Sequence, residues 1–240
     1  VPERNLVDVA VRKTPKSGLS TSGDSVDVVE RPRGGLSVVA ADGQGSGEAA
    51  KRVSNLVVAR AASLIAEGAR DGAVARAVHD NLYALRGGKV VCTLTILSVD
   101  LYTRTFVISR NGNAGALFFD GERITSLGEE VPPIGVHHYT KPAILECPLR
   151  PGAAAAVFTD GVFYAGRRRG RELGIEPLAD ILRGSAGTAS DVADDMFSAA
   201  FSAAGQASRD DMSLAVVTLR SRKVALGEAA VRSIDIAFPF

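Results

Sequence analysis

The sequence predicts an α+β fold, with strands and helices arriving in blocks rather than in alternating βαβ units. Three observations carry this. Apolar residues recur at spacings of three and four over 49–65. The period switches to two over 90–124, broken by Asn-Gly and Asp-Gly. A late apolar strand at 213–219 follows two helical stretches. With 240 residues, 46% of them apolar and 23% charged, the chain can bury a core without disulfides or a structural metal.

The elements follow in order. Leu6–Val11 alternates like a strand, and Asp27–Glu30 and Leu36–Ala41 read as two more around a turn at Arg31–Gly35. Ala49, Ala50, Val53, Leu56, Val57, Ala61, Leu64 and Ile65 form the stripe of a helix of about five turns. Ser46 is its expected cap, and Glu48 lies in the first turn, where the helix dipole favours an anion. Gly68 stops it, and Ala73–Leu85 reads as a second helix folding back. Val90–Val99, Thr105–Arg110, Ala116–Phe119 and Glu122–Ile124 then read as an antiparallel meander turning at Asn111-Gly112 and Asp120-Gly121. Ala153–Thr159 is a further strand, Leu173–Leu182 and Ser190–Ala204 are helices, and Ser213–Leu219 is the last strand. Residues 1–240 are expected to form a single domain, its motifs within 6–220. Residues 221–240 are an extension or an edge strand through Ile234, Ile236 and Phe238.

Charge excludes some functions. Lys+Arg 28 against Asp+Glu 27 leaves +1, too little for non-specific nucleic-acid binding, so no nucleic-acid partner is expected. The one basic run, Arg167–Arg169 with Arg171, reads as a solvated loop, with substrate recognition as the sharper alternative. No apolar run reaches the ~18 residues of a membrane helix, and the charged start does not resemble a signal peptide. Cys92 and Cys147 sit in apolar stretches and read as buried thiols, so a cytoplasmic location and no membrane partner are expected. The His137-His138 pair has no third ligand nearby and reads as surface.

Four aspartates share one setting. Asp24 precedes a strand in SGDSVD; Asp42 ends LSVVAA and Asp160 ends AAAAVFT, each followed by Gly; Asp210, paired with Asp211, precedes MSLAVVTL. Each alone is an ordinary turn residue. Together they are acids at the ends of buried strands, on a rim where several can converge. Such a cluster must keep some protons or take up a cation, and hard oxygen donors suit magnesium or manganese. The loop Asp42-Gly43-Gln44-Gly45-Ser46-Gly47 follows a strand and opens a helix, which invites a dinucleotide reading. Glu48 stands where the third small residue should be, and no Gly-Lys-Ser/Thr follows. The glycines instead let the backbone pass close to a metal, with the Gly43 carbonyl available as a ligand.

SGDSVD (22–27), ADGQGSG (41–47), VPPIGV (131–136), LRPGAAAAVFTDGV (149–162) and RDDMSLAVV (209–217) occur in the order of the SpoIIE-like branch of metal-dependent protein phosphatases, the protein phosphatase 2C superfamily. The resemblance spans roughly residues 6 to 220. It implies a central antiparallel β-sandwich flanked by helix pairs, in four layers. It implies two divalent cations, manganese or magnesium: Asp42 bridging both, Gly43 lending its carbonyl, Asp24 on one side, Asp160 and Asp210 on the other. Asp211 remains the alternative to Asp210 as the ligand. Asp42, Asp160 and Asp210 are thus the expected catalytic residues, by attack of a water shared between ions about 4 Å apart.

Eukaryotic members of the superfamily carry a histidine where this chain has Gln44, which cannot serve as a general acid. Many relatives have an acidic residue near Tyr164, absent here, and no arginine can be assigned to the phosphate; Lys13 and Lys16 lie near the first motif. Because the motifs begin close to the start, the chain is expected to be a catalytic domain alone. It then resembles the feedback phosphatases of stress-response partner switching, whose partners are phosphoserine or phosphothreonine on anti-anti-sigma (STAS-domain) or stressosome proteins. A pseudo-phosphatase that binds a phosphorylated partner without turnover is the competing expectation.

Overall fold

A computed structural model describes residues 3–184, 187–225 and 228–237. Ten strands form two antiparallel five-stranded sheets. The first sheet holds β1 (Glu3–Thr14), β10 (Met212–Lys223), β9 (Ala154–Phe158), β6 (Gly115–Phe119) and β7 (Ile124–Leu127), in that spatial order. The second holds β2 (Asp24–Glu30), β3 (Gly35–Asp42), β4 (Leu94–Asp100), β5 (Thr105–Asn111) and β8 (Ala143–Pro148). Their inner faces meet in one core, where Leu97, Val99, Phe106 and Ile108 pack against Ala155, Val157, Ala215 and Val217. Phe106 of one sheet meets Phe118 of the other edge-on, centroids 5.4 Å apart.

Helices α1 (Gly47–Ala66) and α2 (Asp71–Arg86) cover the outer face of the second sheet through Val53, Val57, Ile65, Val74 and Leu82. Helices α3 (Asp160–Phe163), α4 (Glu176–Gly184) and α5 (Ala189–Ala203) cover the first, burying Leu178, Leu182, Val192 and Met196. The result is the four-layer sandwich that the family resemblance implies. Each fully buried aliphatic side chain contributes about 1.5–3 kcal/mol, so three such layers hold the sheets in fixed register.

The meander is the part that differs. It is split between the sheets, β4 and β5 pairing in one and β6 and β7 in the other. Asp120-Gly121 does turn the β6–β7 hairpin, but Asn111-Gly112 carries the chain from one sheet to the other. Arg110 enforces the crossing. Its guanidinium is buried and donates to the carbonyls of Gly112 (3.1 Å), Ala114 (2.8 Å) and Glu129. Strand β8 is the partner that β5 gains instead; as an edge strand it is half-exposed and carries little pattern. At the helix starts, Ser46 makes no side-chain cap bond, whereas Thr188 and Asp191 form a reciprocal capping box on α5. Ile234 and Ile236 are exposed and belong to no strand; Phe238 lies outside the described residues.

Antiparallel pairing decides where the site sits. β3 ends where β2 begins, and β9 ends where β10 begins and β1 ends, so all five strand termini share one rim.

Candidate functional site

Asp24 and Asp42 are directly opposite each other in the β2–β3 register. Asp24 is fully buried. One of its oxygens, Oδ2, accepts from the Thr159 hydroxyl at 3.1 Å, which ties the second sheet to the residue before Asp160 on the first. Thr159 in turn accepts from the Ser213 amide at 3.0 Å. The other oxygen, Oδ1, has no donor among the described residues. Asp42, beside it, could satisfy that oxygen only by keeping its own proton.

The electrostatics agree. Burial first, then Asp24, Asp160 and Asp210, push the Asp42 carboxyl up to about 9. Asp160 is raised to about 6, chiefly by burial and then by Asp210 and Asp24, against the Gly161 amide that lowers it. Asp24 is raised as well, mainly by burial and partly by Asp211, while Ser213 and Thr159 hold it down. Burial and these carboxylates also raise the Cys92 thiol well above its usual range, so it is an inert neighbour.

The two aspartates of the 210–211 pair do different work. Asp211 is buried, and both its oxygens accept backbone amides, from Lys16 at 2.9 Å and Gly23 at 2.8 Å. It pins the β1–β2 connection. Asp210 is exposed, and only its Oδ1 is engaged, accepting from the Asp211 amide at 2.9 Å, which leaves Oδ2 to face a ligand.

The glycines after Asp42 and Asp160 are demanded by close approach, not by turn conformation. A Cβ on Gly43 would lie 2.2 Å from the Ala50 carbonyl oxygen, and one on Gly161 would lie 2.0 Å from that of Asp211. Gln44 is held by backbone: its amide donates to Val91 O and its side-chain oxygen accepts from Val91 N, both at 3.1 Å. The motif 131–136 backs this loop, since Ile134 bridges Cys92 as Cys92 bridges Gly43. His137 and His138 lie on the surface.

Two cations frame Asp24: Lys13, which the sequence already places near the first motif, and Lys51, which sequence reasoning missed. Lys13 of β1 and Lys51 of α1 both donate to its main-chain carbonyl, Lys51 at 2.7 Å and also to Ser25 Oγ at 3.0 Å. Burial and then the Lys51 ammonium bring Lys13 down to about 8. Ser54 completes the contact, its hydroxyl donating to Gly23 O at 2.5 Å. One signal was available: Ser54 is a polar residue in the buried stripe of α1, between Ala50 and Val57.

The donor set fits hard divalent cations. It consists of carboxylates with raised proton affinity, one unpartnered buried oxygen and a backbone that only glycine permits. Among the described residues no three His, Cys, Asp or Glu side chains close on a single point. Among those residues, too, no helix is long and apolar enough to cross a membrane.

The family model for stage II sporulation protein E (SpoIIE) matches residues 32–220. No curated protein matches the sequence. Solved structures share the fold at low identity. The PP2C phosphatase domain, with a regulatory-domain fragment, of SpoIIE from Bacillus subtilis superposes with a TM-score of 0.77 at 18% identity; 89% of this chain covers 63% of that one. The SiaA PP2C domain of Pseudomonas aeruginosa gives 0.73 at 20%, covering 88% and 85%. RsbX in complex with magnesium gives 0.70 at 17%, covering 89% and 95%.

Proposed function

The chain belongs to the SpoIIE family, and on that premise we propose that it is a metal-dependent phosphatase acting on phosphoserine or phosphothreonine of a regulatory protein. One observation supports this most. Acids from four strand ends lie along one rim, and burial with mutual repulsion raises Asp24, Asp42 (up to about 9) and Asp160, an arrangement that costs stability unless a cation neutralises it. In this reading the strands and helices make one catalytic domain.

Asp42 would hold both ions, with the Gly43 carbonyl and Asp24 on one side and Asp160 and Asp210 on the other. Asp211 is a structural clamp, because its oxygens are already taken. Two bound manganese or magnesium ions would supply charge neutralisation for the phosphoryl oxygens and an acidified water for in-line attack. Thr159 fixes the rotamer of Asp24, and Lys13 and Lys51 draw the Asp24 backbone into place while adding positive charge beside an anionic substrate. Gln44 serves as a strut rather than as a proton donor.

The substrate in this reading is a phosphorylated anti-anti-sigma or stressosome protein. The test is phosphate release from a phosphorylated STAS-domain protein with manganese, with and without a chelator. Manganese-dependent release lost on chelation is the expected result. Binding without release would favour a pseudo-phosphatase, and neither would overturn the reading.

A further inference from the structure

The loop that carries Asp42 and Gly43 is one ply of a stack that ends on helix α2. Residues 91–93 run antiparallel beside it: the Gln44 amide donates to Val91 O at 3.1 Å, and the Thr93 amide to Asp42 O at 3.0 Å. The Thr93 hydroxyl also accepts from the Asp42 amide, at 3.1 Å. These bonds flank Gly43 rather than use it, so the Gly43 amide and carbonyl are turned away from Cys92. On its other edge Cys92 exchanges both backbone bonds with Ile134, at 3.1 and 2.9 Å. The next residue, Gly135, donates its amide to His79 Nδ1 at 3.2 Å.

His79 is a fully buried residue of α2, in the stripe that also buries Val74, Ala75, Val78 and Leu82. Accepting at Nδ1 places the ring proton on Nε2, and Nε2 has no partner among the described residues. A buried donor left in this way costs stability that an apolar side chain would not. What the imidazole supplies is the acceptor for Gly135, a residue with no room to give way. Gly135 has φ +97°, and a Cβ there would lie 2.4 Å from Val90 O and 2.7 Å from Leu82 Cδ2. The stack thus meets α2 at close range, with the bond from Gly135 to His79 as its polar contact.

We propose that His79 is a positioning residue for the metal centre: by fixing Gly135, and through Ile134 and Cys92 the ply beside Gly43, it sets where the Gly43 carbonyl stands. This rests on the reading of Asp42 and Gly43 as metal ligands. A backbone carbonyl has no side-chain rotation with which to correct a displacement, so the placement of the ply decides its distance to an ion. Magnesium in particular demands near-ideal geometry, so a small backbone shift is felt as affinity. Contacts that orient ligands without touching the ion are a common source of such affinity. His79 reaches neither ion nor substrate, and its effect falls on metal binding rather than on the chemical step.

The experiment titrates manganese calorimetrically into wild type, His79→Phe and His79→Asn, with the Tm of each chelated protein as the control for folding. Phenylalanine keeps a ring and removes the acceptor; asparagine carries Oδ1 where Nδ1 stood. His79→Phe should bind one of the two ions about tenfold less tightly, the lower end of what ligand-orienting contacts contribute. His79→Asn should recover to within about threefold of wild type. Affinity of His79→Phe within about twofold of wild type overturns the proposal whatever its Tm, since a merely structural histidine would lower Tm alone. An asparagine variant as weak as the phenylalanine one overturns it too. Should His79→Phe not fold, wild type decides. Saturation with diamagnetic magnesium should then shift the imidazole nitrogen-15 resonances of His79, because the coupling is reciprocal, and unmoved resonances overturn the proposal. A wild type that binds no metal shows separately, and it overturns the metal reading itself.

Discussion

Replacing Asp42 with asparagine should stabilise the metal-free protein while abolishing its activity. The Asp42 carboxyl is raised to about 9, so folding holds a proton there that the unfolded chain releases near its ordinary value of about 3.9. The sign follows from linkage. A raised carboxyl carries no penalty below about pH 4; the penalty grows as pH rises and levels off above about 9. At pH 7.5 an isolated group with this shift would cost roughly 5 kcal/mol, at about 1.4 kcal/mol per unit. Asp42 is not isolated, and its neighbours readjust when it ionises, so about 1–3 kcal/mol is the expected gain for Asp42→Asn. For a chain of this size that is roughly 3–9 °C in Tm. The assay is thermal unfolding of chelated wild type and variant from pH 5 to pH 9. The gap should widen with pH, and manganese should stabilise wild type alone. A gap independent of pH, or a variant less stable than wild type at pH 8 without metal, would refute the reasoning.

Three further outcomes test the surrounding parts. Gly43→Ala and Gly161→Ala place a Cβ 2.2 and 2.0 Å from backbone oxygens and should each cost more than about 2 kcal/mol in urea unfolding, with activity falling in parallel. Asp210→Asn should lose more than about a hundredfold in kcat at unchanged Tm, whereas Asp211→Ala should lose about 2–4 kcal/mol of stability, since two amides lose a charged acceptor; equal effects would contradict the division of labour. Gln44→Ala should lower kcat less than about tenfold and stability by about 1 kcal/mol, as expected of a strut; a loss beyond about a hundredfold at unchanged metal affinity would give it a chemical role.

Periodicity revealed most elements of this fold because most bury one face. The helix pair α1–α2 and strands β3, β9 and β10 each carry an uninterrupted apolar signal. What it hides is which sheet a strand joins. Asn111-Gly112 has hairpin chemistry, yet the crossing is set by Arg110 reaching carbonyls up to Glu129, a long-range contact with no local signature. Strand β8 is hidden for the opposite reason: only Leu145 and Cys147 of this short edge strand reach the core, and apolar Ile144 stands half exposed on the other face, so the alternation is blurred.

At the site, the acids were visible as strand-end aspartates. Separating Asp210 from Asp211 required knowing that Lys16 and Gly23 pass within hydrogen-bond distance of one of them. The Asp-Gly pairs were legible as motifs but not as causes. Both glycines answer to a backbone oxygen far along the chain or in the next helix.

The central claim is that the acidic rim is a metal centre, and calorimetric titration with manganese at pH 7.5 in buffers of different ionisation enthalpy tests it most directly. Asp42, at about 9, holds its proton at that pH and must release it on binding. The account predicts two ions per chain, about one proton released from Asp42, and no tight binding to Asp42→Asn. Binding without proton release, or equal binding to wild type and Asp42→Asn, would contradict it.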